Sequence, residues 1–257
     1  SDLNKINGRF YNSHISILNQ QWPLAEPNLL LLSKEALILE NFMLSNKGQE
    51  VKLETEMTED SIVNFNLELN QLPLKEISEL TKGISKHDID GIAEGNVSIQ
   101  DLFGERQMQS NLTVNDLKVD DYLMGNLQAR GVYGHNKELL NLKGRLEDGL
   151  TDVLLSGHYD FGNTSEQLNL IFRVRKFQLD KLTPFLEDVV TRPSGELMGN
   201  IFVYGPLDKP LLSGKIKADS VAARVNYLNT RYEIPKLVAD LEEDRISFSD
   251  FKVYDKQ

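Results

Sequence analysis

The residues that could do chemistry in this chain are four histidines and a few carboxylate pairs, and neither set has the spacing that chemistry needs. His14, His87, His135 and His158 are scattered, none with a second histidine or a cysteine within a helical turn. A transition-metal site requires several such donors converging on one point. The stretch from His87 to Gly91, His-Asp-Ile-Asp-Gly, opens like a calcium loop but lacks the later oxygen donors and the bidentate glutamate. It reads as a polar turn entering a strand. Carboxylates cluster at Asp120 and Asp121, at Glu147 and Asp148, and from Glu242 to Asp244, all beside strand connections, and a general acid and base pair needs more than adjacency. No nucleophile elbow, phosphate-cradling Gly-Lys-Ser/Thr or dinucleotide fingerprint occurs. The expectation is a protein that is not an enzyme, with no metal and no cofactor. Trp22, Phe202, Tyr204, Tyr227 and Tyr232 could build a platform for carbohydrate or peptide, although packing and edge protection is the plainer use of aromatics on strands.

Composition narrows the partners. Among 257 residues, 39 Asp and Glu against 28 Lys and Arg give a net charge of −11, which opposes binding to a phosphate backbone. Nucleic acid is not an expected partner. Tight electrostatic docking on anionic headgroups is disfavoured for the same reason, whereas burial of acyl chains in an apolar groove is untouched by it. Apolar stretches such as Leu29 to Leu32 fall far short of the roughly 20 residues of a membrane-spanning helix. The opening residues carry neither a basic start nor an apolar core of a signal peptide, and a chain that starts at Ser1 and stops in mid-pattern reads as a piece of something larger. With no cysteine, disulfides and thiolate sites are excluded.

The elements that would position any site are mostly strands. Val63 to Leu72 and Ser213 to Tyr227 alternate apolar and polar residues with period two, the pattern of half-buried strands. Two segments, Leu72 to Ile84 and Phe177 to Val190, place apolar residues at helical offsets and read as short amphipathic helices. The turns Gly205 to Pro210, Leu146 to Gly149 and Phe161 to Asn163 join strand pairs.

The chain also matches itself. At an offset of about 105 residues, Phe65, Leu67, Leu69, Leu72, Leu74, Ile77 and Leu80 fall on Leu170, Phe172, Val174, Phe177, Leu179, Leu182 and Phe185. After a slip of one residue, Gly91, Gly95 and Asn96 fall on Gly195, Gly199 and Asn200. The predicted organisation is a repeat of about 105 residues, with segments 1–84, 85–190 and 191–257, the first two each ending in a short helix and the last beginning a third copy. Comparison of the copies fixes the inward phase. Ser98 and Gln100 stand where Phe202 and Tyr204 do, so the inward side chains are Val97 and Ile99 in one copy and Ile201 and Val203 in the other.

The stretch Ser194 to Ile234, followed by Arg245 to Asp255, resembles the TamB family of the AsmA-like superfamily, most nearly in its Bacteroidetes-type wording. The matching features are Gly195 and Gly199 before an apolar strand, Gly205-Pro206-Leu207, a turn at Pro210, Ser213-Gly214, a long strand to Tyr227-Leu228-Asn229-Thr230, then Ile246-Ser247-Phe248 and Asp255. The resemblance implies a mainly β protein with an elongated, curved, U-shaped β-sheet trough of the β-taco type. It implies a periplasmic piece of an inner-membrane-anchored protein of a Gram-negative bacterium. The implied roles are phospholipid transport between the inner and outer membranes and assembly or secretion of outer-membrane β-barrel proteins, with phospholipid acyl chains, a TamA-type outer-membrane barrel or unfolded outer-membrane proteins as partners. The expected groove lining is Val97, Ile99, Leu112, Val114, Leu170, Phe172, Val174, Ile201, Val203, Ile216, Ala218 and Val221. The same alternation would serve a structural β-repeat spacer or surface adhesin with a sealed core; a hydrolase ranks last.

Overall fold

The computed structural model describes residues 5–17, 20–34, 36–75, 87–134, 138–249 and 252–256. The protein is mainly β. Its short N-terminal strands are β1 (Lys5–Gly8), β2 (His14–Ile17), β3 (Gln20–Pro23), β4 (Leu29–Ser33) and β5 (Leu37–Glu40). They form a two-stranded sheet, β2 with β3, and a three-stranded sheet in the order β1, β4, β5. Everything after them belongs to one sheet: β6 (Phe42–Asn46), β7 (Gln49–Met57), β8 (Val63–Pro73), β9 (Ile89–Gln100), β10 (Gln107–Val119), β11 (Tyr122–Gly134), β12 (Leu139–Asp148), β13 (Thr151–Asp160), β14 (Leu168–Gln178), β15 (Val190–Gly205), β16 (Leu211–Val225), β17 (Thr230–Glu242), β18 (Arg245–Ser249) and β19 (Tyr254–Lys256). Thirteen strands run antiparallel in chain order from β6 to β18, and β19, which pairs β17, makes fourteen. Edge strands β6 and β18 do not pair with each other. The sheet is open.

Strands this long must stay in phase, because a slip of one residue turns every later side chain to the other face. The chain corrects its phase with bulges. On β8 the pairing with β9 steps from Leu69 opposite Gly95 to Leu72 opposite Ala93, three residues against two, around Gln71 at φ 52. That extra residue returns Leu72 to the face of Leu69. The β14–β15 pair makes the same step between Val174 and Phe177, and Asp116 and Ser220, at φ 51 and 54, mark corresponding steps in β10 and β16. These positions coincide under the self-match of the sequence, as do the pairs Leu112 with Gly95 and Ile216 with Gly199.

The paired glycines have a steric cause. A Cβ on Gly199, at φ 146, would lie 2.2 Å from the carbonyl oxygen of Lys215, and one on Gly95 would lie 2.2 Å from that of Asn111. Gly91 and Gly195, at φ 137 and 123, crowd the strand that follows in the same way. Only glycine fits where two backbones approach this closely.

The second helix is smaller than the periodicity implies. It consists of a 3-10 helix, Leu179–Leu182, and an α-turn, Thr183–Leu186, with Pro184 at its start. Of the first, Leu72 and Pro73 end strand β8, Leu74 and Lys75 are helical, and positions 76–84 lie outside the described residues.

Trp22 is 1% exposed and packs with Leu44, Leu72, Ala93 and Val114, so the β2–β3 hairpin covers the start of the large sheet. The aromatic platform that would have included it is thereby corrected: Trp22 is core, Tyr227 sits 95% exposed on the β16–β17 turn, and the two share no surface.

Two outcomes test this packing. Trp22→Ala should destabilise by about 3–5 kcal/mol, and because Trp22 is the single tryptophan, its emission should shift to the red as this cluster opens. Gly199→Ala should cost about 2 kcal/mol or more from backbone strain and the oxygen contact, while Gly149→Ala, with nothing within 4 Å of its Cβ, should change the melting temperature little.

Candidate functional site

Directly opposed residues in an antiparallel ladder project to the same side, so the pairing registers show which side chains share a face. One row across the sheet reads Leu44, Val51, Leu69, Gly95, Leu112, Ala129, Gly144, Leu155, Phe172, Ile201, Gly214, Leu241, Ile246. A second, one step along the strands, reads Leu72, Ala93, Val114, Leu127, Leu146, Val153, Val174, Gly199, Ile216, Ala239, Phe248. Every position in both rows is apolar or glycine. A third row on the same face carries Val97, Leu142, Leu170 and Val203, interrupted by Ser110.

All twelve residues expected from the sequence therefore lie on one face. Ile99 sits opposite Met108, Ala218 opposite Leu197, and Val221 returns to that face because the bulge at Ser220 sets three residues of β16 against two of β15. Of the twelve, Val114, Val174 and Ala218 are buried and the other nine are half-buried. A second layer over the whole face would have buried the rest. Ile99, Met108, Tyr133, Phe161 and Arg106 line a depression of about 310 Å³, with Tyr133 and Tyr159 packed edge-on against Phe161 at 5.6 and 4.6 Å.

Two local covers interrupt the face. Trp22 seals the part under β6 to β10. The other cover is the helical segment after β14, fastened by a residue the sequence did not single out. The Lys181 side chain is 8% exposed as a residue and donates to the Met124 carbonyl at 2.9 Å, to Thr151 Oγ1 at 2.7 Å and to Asp148. It ties the segment to β11 and to the β12–β13 turn. Phe185 meets His87 at 4.7 Å, and His87 Nδ1 lies 3.0 Å from Asp120 Oδ2. His87 thus serves the turn before β9, with the Asp88 N–H donating to the same carboxylate at 3.0 Å. His135 lies outside the described residues. Among those described, no three His, Cys, Asp or Glu side chains converge as metal ligands, and no helix is long and apolar enough to cross a membrane.

Burial pushes the Asp148 carboxyl up, but hydrogen bonds from Lys181 and from the Leu150 and Thr151 N–H groups outweigh it and hold the group below its ordinary value of 3.8. A carboxyl depressed on folding contributes stability that is complete above its unfolded pKa and is lost as pH falls through the folded one.

The chain matches no family model, and neither the curated proteins nor the solved structures hold a match to it. Its fold defines its class: an open antiparallel sheet with one apolar face.

Lys181→Met should cost about 3 kcal/mol by leaving Asp148 and Thr151 without their cation. The loss should be full at neutral pH and shrink below pH 3.8, as read by urea midpoints across pH.

Proposed function

We infer that this chain is a section of a hydrophobic conduit that shelters acyl chains, in a protein of the TamB kind. The single observation that carries the reading is the apolar face, which crosses the sheet from β6 to β18 and is half-exposed over most of its area outside two local covers. Contiguous exposed apolar surface of this extent marks a binding surface. The finer architecture belongs to the same proposal: the open sheet curves into a U-shaped trough, and the recurrence of bulges and glycine contacts at the self-match offset reflects two repeats of about 105 residues.

The mechanism is physical. Each methylene moved from water onto the face gains roughly 0.8 kcal/mol, while a headgroup stays at the mouth in solvent. Adjacent rows are near-equivalent, so an acyl chain finds no deep trap and translation along the sheet meets low barriers. We place the protein in the periplasm, anchored through its full-length chain in the inner membrane, moving phospholipid between the membranes, supporting outer-membrane barrel assembly, or both. The edge strand β18, with Ile246 56% and Phe248 53% exposed, offers an unfolded outer-membrane strand or a TamA-type barrel a place to add by β-augmentation.

The rival reading, a structural spacer with a sealed core, draws on the two regions where the face is closed, beneath Trp22 and beneath the helical segment held by Lys181. Native mass spectrometry separates the two. The chain purified from a membrane-rich bacterial lysate should carry phospholipid, and the double variant Val203→Glu, Ile216→Glu should lose it while remaining folded. A lipid-free parent favours the spacer, and collapse of the variant assigns those side chains to an ordinary core.

A further inference from the structure

On the opposite face of the sheet the charges run against the composition. The chain is strongly acidic, yet Arg130 on β11 stands directly opposite Lys143 on β12, both exposed. Like charges at directly opposed positions repel, and in so acidic a chain a carboxylate neighbour would be the ordinary remedy. None is present. Across the ladder Arg130 faces Asn111, and Lys143 faces Ser156; neither cation makes an ion pair among the described residues. A third cation, Arg145, lies opposite Gln128 and is itself paired, with Glu147 at 2.8 Å and Asp152 at 3.4 Å. Arg130, Lys143 and Arg145, with Asn111, Thr113 and Gln128, line a shallow depression of about 410 Å³.

We propose that this depression binds a phosphate group. Arg130 presents a planar fork suited to two oxygens of a tetrahedral oxyanion and Lys143 a compact point charge beside it. The amides of Asn111 and Gln128 and the hydroxyl of Thr113 supply neutral donors. A surface that keeps two unneutralised cations side by side, ringed by donors and free of carboxylates at their ladder positions, is built to receive an anion. The site lies on the other face from the apolar rows and stands independently of the acyl-chain reading. The same chemistry belongs to a phospholipid headgroup and to a free phosphate, so the test has an arm for each.

In one arm, calorimetry follows titration of the chain with inorganic phosphate and with glycerol 3-phosphate. In the other, the chain is sedimented with vesicles of phosphatidylglycerol mixed into phosphatidylcholine, and with phosphatidylcholine alone. Each is repeated with Arg130→Gln, Lys143→Gln and with a charge-matched control, Lys47→Gln, Lys209→Gln, on two turns elsewhere. The expected result is binding to at least one phosphate probe, weakened about tenfold or more in the first double variant, as loss of a charge-assisted hydrogen bond predicts, and unchanged in the control. Binding of the soluble probes assigns the site to free phosphate; binding to the anionic vesicles alone assigns it to a headgroup. No binding in either arm, or equal losses in both double variants, overturns the proposal. Arg130→Gln should keep or raise the melting temperature by relieving the repulsion, and a fall of several degrees would make Arg130 a structural contact and overturn it too.

Discussion

The constraint on which this structure depends is the phase of side-chain alternation across fourteen antiparallel strands. A sheet has one apolar face only if every strand presents the same parity at every register, and a one-residue error anywhere would carry polar side chains onto that face for the rest of the strand. The bulges at Gln71, Asp116 and Ser220 keep the parity right. Each allows an apolar residue at odd spacing, Leu72 after Leu69 or Leu117 after Val114, to rejoin its row. The same bulges increase local twist, which lets so wide a sheet coil instead of remaining flat.

Sequence alternation alone yields a sheet with one greasy side and leaves open what covers it. The answer differs along the molecule. Under the β2–β3 hairpin, Trp22 turns the face into an ordinary core, and Asn28, 3% exposed, fixes the adjoining segment by bonding the Phe10 N–H and carbonyl at 2.8 and 2.9 Å. Near the start of β13 the helical segment is held down by a buried ammonium with three partners. Elsewhere the larger apolar side chains of the rows remain half-exposed or exposed, with small residues such as Ala218 and Ala239 buried. A face closed at chosen places and open between them is arranged differently from a sandwich, in which a second sheet would lie about 10 Å above the first along its whole length.

The two faces divide the chemistry. Glycine contacts and aliphatic rows on one side leave little that could hydrogen-bond a ligand, so anything held there is held by exclusion from water. On the other side, amides, hydroxyls and charges face solvent, with Lys215 paired to Asp240 at 3.1 Å and Arg130 beside Lys143. Net charge, a property of the whole chain, argues against anionic partners; the local arrangement of two cations argues for one. The local arrangement governs at contact distances, because screening removes most of the influence of exposed charges farther than about 8–10 Å away.

By itself the sequence determined the strand-rich class, the inward parity of Val97, Ile99, Ile201 and Val203, the turns at Gly205 and Asp148, and the positions of the crowding glycines. All of these follow from local chemistry: period-two alternation, turn residues, and glycine where backbones meet. The segment after Phe177 came out with less helix than the spacing implied because strand β14 keeps Phe177 and Gln178, strand β15 claims Val190, and Pro184 sets a helix start in mid-segment. Tertiary structure alone decided that Trp22 is core, that Lys181 fastens a helix to strands some thirty and more residues back along the chain, and that Arg130 meets Lys143. Each depends on which residues oppose one another across strands or layers, and that register is set by the sum of bulges, turns and long-range pairings, which no local pattern contains.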